Sequence, residues 1–137
     1  MATPPSRPAA PDLRRTAYAI CGAVLATALL WAGADGMGVD LRVDPGNGLP
    51  PQTVGLPLVA GSTLVASLLA AVTRRRLDRL TDRAPAVWTQ LAVTVLLVSL
   101  APLTFVQASD GAKITLALMH LAIAAVLIPL LGRRKGD

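Results

Sequence analysis

The chain has 137 residues, of which 53% are hydrophobic and only 15% charged, and its mean hydropathy is +0.57. Soluble domains carry roughly a quarter charged residues, so this balance excludes a water-soluble core and points to lipid as the solvent. The formal charge of +5 is compatible with nucleic acid, but the cations lie at the ends of apolar segments and not along one face, which argues against that partner.

Residues 1–12, MATPPSRPAAPD, contain four prolines and no apolar periodicity. Residues 1–15 are therefore expected to form a disordered cytoplasmic N-terminus. The next stretch, about 16–34, is the first of four with membrane length, since a hydrocarbon core of ~30 Å needs about 20 apolar residues. It ends in Ala32-Gly33-Ala34, which resembles a signal-peptidase site. Its apolar run exceeds the usual h-region, which favours a retained anchor. Within it, Gly22-x-x-x-Ala26 is a small-residue pair suited to close helix approach, and Trp31 is placed as an interfacial anchor.

Residues 35–53 form the longest connection. VDLRV alternates apolar and polar, a strand pattern, and DPGNG supplies turn residues. A short extracytoplasmic strand and turn is expected here, with Pro50 and Pro51 weakening any return strand. The second span, about 54–73, carries Ser62, Ala66 and Ala70 at i+4 spacing, a second face suited to helix packing. RRRLDRLTDRAP follows. Its five arginines, Arg74, Arg75, Arg76, Arg79 and Arg83, are expected to meet anionic lipid headgroups, and Asp78 stands four residues after Arg74, in reach of a helical ion pair.

The third span, about 87–106, begins beside a second interfacial anchor, Trp88, and Pro102 is expected to kink or end it. In the short turn QASDGA, Asp110 is expected to cap the fourth span, about 113–131. Pro129 interrupts that helix near its end. Residues 132–137 are read as a cytoplasmic tail.

Orientation follows from the cations. Arg7, Arg14 and Arg15, the five loop arginines, and Arg133, Arg134 and Lys135 share one side, which is eleven of the thirteen Lys and Arg; Arg42 and Lys113 hold the other. The positive-inside rule then places both termini in the cytoplasm. The expected architecture is an all-α membrane protein, a four-transmembrane-helix bundle of a single domain at 16–131, multi-pass in the plasma membrane.

No catalytic or metal constellation is visible. There is one histidine and one cysteine, Cys21, at opposite depths; glutamate is absent, and no acid lies within a span. No cofactor is implied, and the chain is not expected to be an enzyme. His120 is the one residue that asks for an account. Counting from Lys113 puts it ~10 Å below the surface, at a depth shared by Ser99, by Ser62 and Thr63, and by Thr27. A buried imidazole needs hydrogen-bond partners, because an unsatisfied polar group in hydrocarbon costs several kcal/mol. Two readings stand. A neutral His120 joins two helices by a hydrogen bond of about 0.6–2 kcal/mol, or His120, Ser99, Ser62, Thr63 and Thr27 line a polar pocket for a ligand or a proton relay. By elimination the leading function is a non-catalytic accessory, scaffold or envelope component, self-associating or joined to a membrane partner. The alternative is a small-molecule or proton-linked transporter or sensor.

VDLRV at 39–43, TVG at 53–55, SLAPL at 99–103 and ALMHLAIAAVLIP at 117–129 resemble a family of uncharacterised four-helix membrane proteins of high-GC Gram-positive bacteria, a domain of unknown function. The resemblance covers about 16–131. It implies the same four-helix layout and brings no known activity, substrate or site residue.

Overall fold

A computed structural model of the chain describes Ala2 and residues 13–133. Four helices are long and apolar enough to cross a membrane: α1 (Leu13–Gly36), α2 (Leu56–Leu80), α3 (Ala84–Leu100, continued by a 3₁₀ turn at Ala101–Thr104) and α4 (Asp110–Gly132). Each corresponds to one of the four apolar stretches, although α2 starts two residues after its stretch, at Leu56, and the 3₁₀ turn after α3 ends at Thr104, two residues short of residue 106. At their charged ends the helices overrun those stretches, because charged residues at a span's end still have good helix propensity. Thus α2 carries Arg74, Arg75, Arg76 and Arg79 as part of the helix, and the middle connection shrinks to residues 81–83. Leu13, Arg14 and Arg15, assigned from sequence to a disordered terminus, are helical, as is Gly132, assigned to the tail; residues 1, 3–12 and 134–137 lie outside the described residues. Pro102 sits in the 3₁₀ turn that ends α3, whereas Pro129 lies inside α4, which continues to Gly132.

Most large apolar side chains face outward, Tyr18, Leu25, Leu69, Leu97, Val98 and Phe105 among them. Such a surface would aggregate in water and suits hydrocarbon. The interior is made instead from small residues. On α1, Ala19, Ala23 and Thr27 recur at i+4 and are fully buried; on α2 the buried row is Val59, Thr63, Ser67 and Ala71, continued by Arg74. Side chains this small let backbones approach, which is the main source of helix affinity in a medium as apolar as leucine. α1 packs along both α2 and α4, α3 rests on α4, and α2 and α3 touch far less.

The two ends of the molecule are closed differently. At one end three short strands form an antiparallel sheet in the order β2-β1-β3, with β1 at Arg42–Asp44, β2 at Gln52–Thr53 and β3 at Gln107–Ala108. The expected strand and turn is therefore present. Asp44 and Asn47 carboxylate and amide oxygens accept from the Gly46 and Leu49 N–H groups, and Gly46 and Gly48 supply the positive φ that the turn needs. β3 comes from the connection between α3 and α4, so both loops at this end belong to one sheet. Leu41, Ala34 and Ala112 bury a small core beneath it. Ser109, not Asp110, is the N-cap of α4: its hydroxyl accepts from Ala112 N–H at 3.1 Å and donates to Asp40 carbonyl at 2.9 Å. Asp110 falls in the first helical turn, where its charge still meets the positive end of the helix.

Candidate functional groove

The row Ser62, Ala66 and Ala70, which spacing marks as a packing face, is not buried as one: Ser62 and Ala66 are exposed, and only Ala70 packs against the core. Its neighbour one residue on, Thr63, Ser67 and Ala71, takes the α1 contact instead. The displaced row turns toward α3, where it meets more small side chains. Ala92 on α3 and Ala124 on α4 complete a set that is too short to fill the space between the helices. The result is a cavity of about 710 Å³ walled by α2 and α3 and floored by α4, a volume within the ~300–1,000 Å³ of ligand pockets. Leu58, Leu69 and Val95 on its rims are exposed, so the cavity is a groove open along one side.

The groove is chemically divided. Toward the arginine end its walls are Ala66, Ala70, Trp88, Ala92, Ile123 and Leu127, with Thr73 as the one hydroxyl. Toward the sheet end stand Ser62, Thr63, Ser99 and His120. Four of the five residues matched by depth therefore do share one wall system. Thr27 does not: its hydroxyl lies in the α1–α2 seam, 3.2 Å from Thr63 Oγ and 3.0 Å from the carbonyls of Ala23 and Val24. Depth could align these residues, but only helix rotation decides which seam each faces.

His120 is half-buried, and its Nδ1 lies 2.7 Å from the carbonyl of Leu116, one turn back on α4. This bond is intrahelical, so among the described residues it does not supply the helix-to-helix hydrogen bond that the sequence reading allowed. The serines behave similarly. Ser62 Oγ donates to Val59 carbonyl at 3.2 Å and Ser99 Oγ to Leu96 carbonyl at 2.7 Å. His120, Ser62 and Ser99 thus each bond back to a carbonyl of their own helix.

The arginines and tryptophans also separate. Arg74 is buried: its Nε donates to Leu131 carbonyl at 2.6 Å, and its guanidinium pairs with Asp78 one turn on. It closes the C-terminal end of α4, where the last four carbonyls lack helical partners, so its guanidinium is engaged within the protein and not offered to headgroups. Arg75, Arg76, Arg79 and Arg83 are exposed. Trp31 is half-buried and donates from Nε1 to Val54 carbonyl at 2.8 Å, tying α1 to the short connection between β2 and α2. Trp88 is buried with Ala19, Ala23, Leu127 and Leu131, its indole N–H 3.4 Å from Ile128 carbonyl. It is a core residue and a groove wall, in place of the interfacial anchor expected from its position. Sequence reasoning missed Ser67, which is fully buried with an unpartnered hydroxyl; its i+4 spacing from Thr63 was the available signal. Among the described residues no group of three or more His, Cys, Asp or Glu gathers to hold a metal.

Residues 7–137 match the sequence profile of DUF6069, a family of unknown function. The chain belongs to this family. Searches of curated proteins and of solved structures returned no match. The match bears out the resemblance only in that the family is one of unknown function; it adds no activity, so the groove itself must supply the functional reading.

Proposed function

We propose that this DUF6069 protein is a non-catalytic, multi-pass plasma-membrane protein that binds a membrane-soluble small molecule in the groove between α2, α3 and α4. Its helices form a four-span bundle with both termini and the exposed arginines in the cytoplasm, as the bias of eleven cations to one side favours. Arg75, Arg76, Arg79 and Arg83 contact anionic headgroups there, each worth on the order of 1 kcal/mol near the surface. The sheet that joins both opposite loops faces the exterior. The protein acts as an accessory or sensor component whose state depends on the ligand. The observation that carries this reading is the groove: an apolar cavity of about 710 Å³, open along one side, with a few polar atoms gathered at one end. That is the usual composition of a ligand site.

Transport stands second. His120 lines the groove and offers an imidazole for proton coupling, but no carboxylate is among the groove-lining residues to share that work.

The test is thermal unfolding of purified protein against a panel of lipids and lipophilic metabolites. A ligand at a hundred times its Kd stabilises by about 2.7 kcal/mol. A stabilising compound that has no effect on Ala66→Phe, which fills the groove, is the expected result. Equal stabilisation of both proteins by every active compound contradicts the reading.

A further inference from the structure

The groove's polar atoms have a common sign. A carbonyl can only accept, so the 2.7 Å contact to Leu116 puts a proton of His120 on Nδ1, and a ring carrying that one proton presents a lone pair at Nε2. Ser62 and Ser99 spend their hydroxyl protons on Val59 and Leu96 carbonyls, leaving oxygen lone pairs. Thr63 shares its hydroxyl with Thr27, either atom being the donor. Three side chains at one end of the groove therefore offer acceptors, and their own donors are already used. No carboxylate is among the groove-lining residues to neutralise a buried cation, and an uncompensated charge at this depth is costly. The remaining partner is an uncharged group that donates.

On the reading that the groove binds a ligand, we infer that its occupant is a neutral, hydroxyl-headed amphiphile with a single apolar chain. The hydroxyl donates among His120 Nε2, Ser99 and Ser62, and the chain runs toward Trp88. The eight residues from His120 to Ile128 give that chain about 12 Å of groove, and its walls there are apolar apart from Thr73. A second transmembrane helix matches this wall poorly, because it spends its backbone N–H groups internally. A carboxylate or phosphate head brings acceptors to acceptors.

The experiment uses the full chain in phosphatidylcholine nanodiscs with Trp31→Phe, which leaves Trp88 as the sole tryptophan. Three bromine-tailed probes of one chain length are added: a primary alkanol, its methyl ether and the corresponding alkylammonium. Bromine at the chain end quenches Trp88 when the chain lies in the groove. The expected result is saturable quenching by the alkanol at a bilayer fraction about fivefold below that of the ether, the gain from one net hydrogen bond. The ammonium is no better than the ether. His120→Phe or Ser99→Ala narrows the gap, and the alkanol–ether comparison on the parent protein needs neither variant to fold. Equal, saturable quenching by alkanol and ether refutes the hydroxyl-headed ligand while leaving the groove a ligand site. Strongest quenching by the ammonium refutes it likewise. Quenching that is unsaturable and unchanged by Ala66→Phe refutes both readings. Two chains per disc with the groove closed to all probes assigns the groove to a second copy and overturns the proposal.

Discussion

Replacing Arg74 by alanine removes two interactions of different worth. The first is a charge-assisted hydrogen bond from buried Nε to Leu131 carbonyl at 2.6 Å, in a class that contributes about 1.5–3 kcal/mol. The second is the pair with Asp78, whose side chain is 57% exposed. Solvent screening reduces that i,i+4 pair to about 0.3–0.5 kcal/mol. Because the bond to Leu131 also joins the ends of two helices, Arg74→Ala is expected to cost about 2–3 kcal/mol. Asp78→Ala should cost about 0.5 kcal/mol or less. Arg75→Ala and Arg76→Ala, which remove exposed side chains from the same run, should stay within about 0.5 kcal/mol of the parent. Arg74→Lys should fall between, since an ammonium reproduces the charge but not the planar donor fork. Reversible unfolding in mixed micelles measures the order, and hydrogen exchange in the last turn of α4 locates the damage. An Arg74→Ala protein as stable as Arg75→Ala would refute the assignment of Arg74 as the clasp between α2 and α4.

Three further outcomes are expected. Ser109→Ala removes the cap of α4 and the bond to Asp40 together, and should lower stability by about 1–2 kcal/mol in the same unfolding assay. Trp31→Phe loses the bond to Val54 carbonyl but keeps most of the ring's packing; a loss of about 1 kcal/mol is expected, with faster exchange in the strands. In a Cys21→Ser background, a cysteine at Asn47 should react with a membrane-impermeant maleimide on intact cells, and one at Arg79 should react only after lysis. The reverse pattern would refute the proposed orientation.

The helices were legible because lipid imposes a length and a composition that almost no soluble segment meets. What each helix buries was not. Ser62-Ala66-Ala70 and Thr63-Ser67-Ala71 have the same small-residue spacing, and a rotation of one residue decides which row packs on α1 and which opens as a groove wall. Arg74 stands first in a run of three arginines, and nothing in the run marks it as the one that turns inward. Its neighbour relation to Asp78 was readable, since helical spacing is local; its bond to Leu131, 57 residues away, was not. β3 is only two residues long, too short for any alternation, and exists because Val43 and Asp44 offer it an edge. The polar set around His120 was readable in part, since equal depth follows from counting, while Thr27 shows that equal depth does not imply a common seam.

Occupancy of the groove is tested most directly by native mass measurement of protein ejected from cell membranes. The wild type is expected to retain an apolar adduct of discrete mass that organic solvent removes, and Ala66→Phe, equally folded, is expected to emerge without it. A wild type that carries no adduct beyond the lipids also held by Ala66→Phe would contradict the claim that the groove is a ligand site.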